Sequence, residues 1–252
     1  MLVADQAPAP VEICRDPAQH LVCPNLVMPP ASRLTVRRTP SGRRLLLMDN
    51  YLVNAGFGDV MIRGHRTGRY TMEGVQLIER SGGRPHARVK TGAVLTWKYV
   101  DSSRGNFWKF RHAARFELWK LNARGERTRW VRTGPKLDYC LRDLFQMGPR
   151  KGSTVPAGPR YGACSQDLGA TSDILGIASG WADGYPYSYP QNYIDVTSLK
   201  GCYVVIQRAD PYNGIIETSE RDNTSHQMVK LPYRRGSGGT GCPRYHGVGV
   251  PR

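Results

Sequence analysis

The chain is predicted to be all-β, a β-sandwich with long loops and extended terminal arms. Three observations carry that expectation. Apolar and polar residues alternate over short runs, with few stretches that keep the 3.6-residue period of an amphipathic helix. Glycine (28) and proline (18) punctuate those runs at close intervals. The 252 residues suffice to bury a real core. Yet the longest purely apolar run covers only about residues 45–48, so no membrane span is expected.

Taken in order, residues 1–21 are rich in Pro and Ala and read as an arm or leader. Residues 22–232 form the β domain, and the basic, Gly-rich residues 233–252 a tail, either mobile or tied down by Cys242. Strands are expected around 34–36, 45–53 and 59–62, the last two separated by the turn signal Asn54-Ala55-Gly56-Phe57-Gly58. Residues 69–80 and 87–97 read as a hairpin around Ser81-Gly82-Gly83-Arg84-Pro85. Three short strands follow: 107–110, then 115–121, where Phe116 and Leu118 alternate with Glu117 and Trp119, then a strand toward Trp130 and Val131. The polar turn Asn122-Ala123-Arg124-Gly125 joins the last two. Residues 146–159 lack periodicity and read as an exposed loop. Residues 167–193 read as turn-rich, with an aromatic cluster of Trp181, Tyr185, Tyr187, Tyr189 and Tyr193. A clear strand is expected at 203–208, and 215–218 reads as the start of another. No internal repeat is evident.

Lys and Arg number 36 against 20 Asp and Glu, a net charge of +16. Such a field favours anionic partners: nucleic acid, polyanionic wall polymers or acidic protein surfaces. It also describes an ordinary soluble, self-repelling surface. The basic residues are scattered (Arg37, Arg38, Arg43, Arg44, Arg150, Lys151, Arg234, Arg235), and no nucleic-acid module is visible, although nucleic acid stays among the candidate partners. The six cysteines include no Cys-x-x-Cys, against a zinc ribbon. Their even number and wide spacing suit disulfides in an oxidising place, with six reduced buried thiols as the alternative. Six cysteines allow about 15 connectivities, so pairing does not follow from spacing. The first residues lack a positive start and an apolar core, so no signal peptide is expected. Export through a leader already removed, or release by lysis as a virion component, would each fit. Gly-x-Ser-x-Gly, His-Glu-x-x-His and a P-loop are absent, and residues 236–241 read as a flexible link.

One stretch says more. Phe107-Trp108-Lys109-Phe110, Ala114-Arg115-Phe116-Glu117-Leu118 and Gly134-Pro135-Lys136-Leu137-Asp138-Tyr139-Cys140-Leu141-Arg142-Asp143 share the frame of a known catalytic domain. Further landmarks occur in the same order. They are Cys23-Pro24-Asn25-Leu26 with Met28-Pro29-Pro30, residues 43–47 with 53–56, Gly180-Trp181-Ala182-Asp183-Gly184-Tyr185, residues 194–197, Ala209-Asp210-Pro211 and residues 217–223. Over roughly residues 22–231 the chain resembles the lysyl oxidase catalytic domain in its bacterial form.

The resemblance implies a β-sandwich and names candidate sites. Lysyl oxidases oxidise the ε-amine of peptidyl lysine, using copper and a lysine tyrosylquinone made from a lysine and an oxidised tyrosine. Lys136 and Tyr185 stand at the positions of that pair. The copper half departs from the pattern: Phe107 and Lys109 occupy its His-x-His, and Lys98 follows Trp97 where relatives often have another histidine. Copper(II) prefers several imidazoles. Phe107 has no lone pair, and Lys109 at an ordinary pKa would be an ammonium. His112, three residues on, would face the other side of a strand. By the same resemblance, Asn25, Leu26, Glu217, Ser219, Asp222 and Asn223 correspond to a calcium site, weakened by Asn25 and Ser219, or form a solvated acidic turn. Cys140 and Cys164 are the implied disulfide, with Cys14–Cys23 and Cys202–Cys242 using up the remainder.

The expected function is a non-catalytic, extracellular or virion (phage tail or capsid) module that binds a protein or polyanionic surface, or assembles into a larger particle. Phe107, Trp108 and the aromatics of 185–193 would line its groove as a stacking surface for a glycan or protein. The alternative is an amine oxidase with relocated copper ligands. A third reading is polyanion binding by the Arg-rich arms.

Overall fold

The computed structural model describes residues 13–148 and 155–247. Its strands are β1 Leu21–Val22, β2 Leu26–Val27, β3 Ser32–Arg38, β4 Arg44–Asn54, β5 Val60–Gly68, β6 Thr71–Arg80, β7 Ala87–Tyr99 and β8 Asn106–Phe110. There follow β9 Ala114–Leu121, β10 Arg127–Thr133, β11 Phe145–Gln146, β12 Ser172–Ile177, β13 Trp181–Tyr185, β14 Tyr193–Asp195, β15 Gly201–Ala209 and β16 Thr224–Leu231. Three antiparallel sheets result, in a sandwich-like all-β fold. The first runs β12-β5-β6-β7-β8, with β1 added to β6; the second runs β10-β9-β15-β16. In the third, β11-β13-β4-β14, strands β2 and β3 also pair with β4.

Strand β4 is the most apolar segment because it is covered on both faces: Leu45, Leu46, Leu47 and Met48 are all buried. One core joins the sheets, with Leu52, Ile62, Phe116 and Val205 in the same cluster as Trp108 and Phe110. Each such side chain contributes about 1.5–3 kcal/mol on full burial. Lys136 and Tyr139 rank among the largest fully buried side chains.

The hairpin of β6 and β7, the β8–β10 run and β15 form where the alternation predicts them. Two expectations are corrected. Residues 167–193 are not merely turns: they hold β12, paired with β5, and β13, paired with β4. Residues 215–218 do not start a strand, because side chains and a loop take their amides. The Asp210 carboxylate accepts from Gly214 N and Ile215 N at 2.9 and 2.8 Å, and Gln76 Oε1 accepts from Ile216 N at 2.7 Å. Thr218 N donates to Pro24 O. The last strand is instead β16, in register with β15 along its length.

Three disulfides, Cys14–Cys23, Cys140–Cys164 and Cys202–Cys242, account for every cysteine, so the reduced-thiol alternative is excluded. They suit an oxidising environment. Both arms are docked where described. Leu21 and Val22 pair with Arg80 and Glu79 of β6. At the other end Cys242 is tied to β15, the Tyr245 ring packs on His226, and residues 236–241 are turns that bond back to Lys230 of β16 rather than a free link. Residues 1–12, 149–154 (with Arg150 and Lys151) and 248–252 lie outside the described residues. Among the described residues no helix is long and apolar enough to cross a membrane.

Candidate functional site

The segment after β10 brings two sheets to one point. Gly134 passes between β9 and β14, where a Cβ would sit 2.9 Å from Tyr193 O and 3.3 Å from the Phe116 Cβ. Beyond Pro135 the chain turns inward, and Tyr139 bridges to Phe110 through paired backbone bonds of 2.9 and 3.1 Å. Lys136 is thereby carried into the interior, 1% exposed, and is no surface lysine. Its Nζ donates to Asp138 O and lies 3.6 Å from the ring centroid of Tyr139 and 3.9 Å from that of Tyr185.

Strand β13 supplies the opposite wall. Asp183 and Tyr185, two residues apart, share a face. The Tyr185 ring meets Tyr139 edge-on at 5.0 Å and Tyr189 at 4.6 Å. The Tyr139 hydroxyl donates to Asn50 Oδ1 at 2.6 Å. Asp183 is fully buried, and the Tyr185 hydroxyl is its hydrogen-bonding neighbour. The third wall is β8, where Phe107 and Lys109 share one face and open onto a cavity of about 190 Å³ with Tyr185 and Tyr189. Arg104 and Arg142 also line it.

Burial dominates the electrostatics. It pushes the Lys136 amine well below the ordinary lysine value, and the neighbouring Lys109 charge adds to the effect. Lys109 falls to about 8, again through burial, with Asp138 and Asp183 pulling back. Lys109 thus stays mostly an ammonium at neutral pH, with a larger free-amine fraction than an ordinary lysine. Asp183 rises to about 7 by burial, moderated by the Lys136 and Arg142 charges. Burial raises the Tyr139 and Tyr185 phenols well above their ordinary value, so both stay protonated.

Several expected features separate. Trp108 points away from the cavity, fully buried, with Nε1 donating to Asp167 O and its ring 5.3 Å from Trp97. It cannot serve as a stacking surface. Nor do the aromatics of 181–193 form one cluster: Tyr187 lies under Arg33, Tyr193 under Arg43, and Trp181 donates to Pro156 O. His112 sits after β8 at φ 58°, not on a strand, with its ring on Tyr212. Lys98 pairs with Asp138 at 3.3 Å.

A copper ion does not fit this donor set. Phe107 offers nothing, Lys109 one amine, and none of the six histidines lines the cavity.

The acidic hairpin is a separate place. Glu217, fully buried, accepts from Leu26 N at 2.5 Å and from Asn223 Nδ2 at 2.6 Å. Asn25 Nδ2 donates to Asp222 Oδ2 at 3.0 Å. Ser219 is not part of the cluster, since its hydroxyl accepts from Arg221 N; Leu26 contributes its N–H. Glu220, which the sequence reading omits, joins instead through Asn223 Nδ2 at 3.0 Å. Two buried oxygens, Asn223 Oδ1 and Glu220 Oε1, have no donor among the described residues, although Glu220 and Glu217 meet carboxyl to carboxyl. Burial and mutual repulsion raise Glu217 to about 9; burial and the Asp210 charge raise Glu220 to about 7. Among the described residues no three His, Cys, Asp or Glu side chains stand as a ready-made metal site. The unpartnered oxygens nonetheless fit an oxygen-seeking cation, which Glu217, Glu220, Asn223 and Asp222 would hold.

No protein-family model matches the chain, and no curated protein matches it.

Tyr189 lines the cavity as expected, whereas Asp183, Tyr139 and Arg142 escaped the sequence reading as site residues. Strand period two from Tyr185 could have found Asp183. Arg142 carried no signal.

Proposed function

We propose that the protein is a lysyl-oxidase-like β-sandwich that no longer performs copper chemistry and acts as a structural or binding module, extracellular or on a virion. One observation carries this: on the face of β8 turned toward Tyr185, a phenyl ring and a buried amine stand where the resemblance requires imidazoles. The three disulfides support an oxidising location, and the net charge of +16 supports a polyanionic or acidic protein partner. The acidic hairpin supports a calcium ion that braces β2 against the 217–223 turn. Purified protein exposed to copper(II) and dialysed should retain no stoichiometric copper and develop no quinone absorbance. Retention of one copper per chain with quinone absorbance refutes the proposal.

A specific observation favours the second reading, a copper- and quinone-dependent amine oxidase acting on peptidyl lysine. Lys136 Nζ lies 3.9 Å from the Tyr185 ring centroid, close enough for a carbon–nitrogen bond after a small shift. Formation of that bond needs an oxidant that the present donor set does not hold in place. This reading predicts hydrogen peroxide release from lysine-containing peptides and a Lys136–Tyr185 crosslink by mass spectrometry. An intact activity in Lys136→Met excludes it.

A further inference from the structure

The cavity on β8 is built more specifically than a retired site requires. Lys109 is 2% exposed, and among the described residues it forms no ion pair and its Nζ has one hydrogen-bond partner, the Tyr189 hydroxyl at 3.4 Å. Beside it, Arg142 is half-buried, with an Nε that has no hydrogen-bond partner among the described residues. Asp183, buried nearby, lies within electrostatic reach of both and of Lys136. Asp138 and Asp183 act on Lys109 from behind, but the cavity lining itself holds Arg104, Lys109 and Arg142 and, among the described residues, no acidic side chain, so an entering anion meets positive groups first. About 190 Å³ admits a small organic acid. Phe107 and Tyr189 provide apolar walls for its carbon frame.

We infer that this cavity binds a small carboxylate bearing an aldehyde or ketone, with Arg142 holding the carboxylate and Lys109 Nζ forming a reversible imine with the carbonyl carbon. The nitrogen lone pair adds to that carbon to give a carbinolamine. Its C–O bond then breaks, and the oxygen departs as water carrying both former amine hydrogens, as the C=N bond forms. No oxidant or reductant is consumed. Tyr189, in contact with Nζ, is placed to pass a proton during dehydration.

Free amine is the reactive form. With its value lowered to about 8, roughly a quarter of Lys109 is neutral at pH 7.5, against roughly a thousandth for an ordinary lysine. Burial lowers Lys136 as well, but it is boxed between two rings and bonded to Asp138 O, so it has no approach for a ligand. The inference needs only the cavity and holds whether or not copper is ever bound.

The test uses the intact protein with glyoxylate and cyanoborohydride at pH 7.5, followed by peptide mapping. Lys109 should be labelled roughly tenfold or more faster than the exposed Lys90. Acetaldehyde, which lacks the carboxylate, should show much less preference. R142Q should bring Lys109 labelling down toward the Lys90 rate. If that variant does not fold, the comparison of glyoxylate with acetaldehyde on the native chain decides. Labelling that follows surface exposure, equal preference for the two aldehydes, or first labelling at Lys136 overturns the inference.

Discussion

Replacing Lys136 by Met exposes the central electrostatic feature to a stability measurement. In the folded chain the amine is fully buried and held well below its ordinary value. In the unfolded chain it titrates near 10.4. Between those values only the unfolded chain binds the proton. Stability therefore falls as pH drops below the unfolded value and recovers as pH rises. One proton corresponds to about 1.36 kcal/mol per pH unit, so native stability should lose up to about 2.7 kcal/mol between pH 9 and pH 7 through this group alone. Met fills the same space between Tyr139 and Tyr185 and carries no proton. It forfeits the bond to Asp138 O, worth about 1–3 kcal/mol if that carbonyl goes unsatisfied. At pH 9 the variant should be near or below native stability, and at pH 7 it should gain relative to native by up to about 2.7 kcal/mol. Asp183 and Lys109 titrate in the same window, but both proteins contain them, so the difference between the two largely removes their contribution. Urea unfolding at the two pH values measures it. Parallel pH profiles for native and variant would show that the buried amine keeps its charge, and the reasoning would fail.

Three further outcomes follow from the geometry. Glu217 and Glu220 hold protons in the folded state up to about 9 and about 7, so they destabilise the fold as pH climbs through that range. A calcium ion held there would compete with those protons. It should raise the melting temperature at pH 8, with EGTA reversing the effect, and do nothing at pH 5; an equal shift at both pH values refutes the site. Gly134→Ala places a methyl 2.9 Å from Tyr193 O and should cost about 1–3 kcal/mol in chemical denaturation, whereas a neutral result would mean that the segment is less closely held. Opening Cys140–Cys164 by a double Ser substitution releases a 24-residue separation and should cost about 3 kcal/mol. A melting temperature within a degree of native would contradict that.

Much of the sandwich was legible in the chain. Strand period and turn chemistry are local, so β6 and β7, β9 and β15 appear as alternation bounded by Gly, Pro and Asn. The strands β12 and β13 were not legible, because segments rich in glycine and aromatics look like turns until β5 and β4 supply partners for their backbones. For the same reason 215–218 looked like a strand until Asp210 and Gln76 took its amides. Residue identities alone establish that an aromatic ring and an amine stand at 107 and 109 and that six cysteines are present. Which cysteines pair is decided by three-dimensional proximity.

The amino-acid order by itself determined which donors this protein owns, because side-chain chemistry travels with the residue wherever the chain goes. Only the tertiary structure decided their charge. Lys136 in a Gly-Pro-Lys turn reads as a solvated cation until Gly134 lets the chain slip between β9 and β14 and deliver it among tyrosines. Lys109, Asp183 and Glu217 likewise take their protonation from the water they lose, and that loss depends on residues distant in the chain.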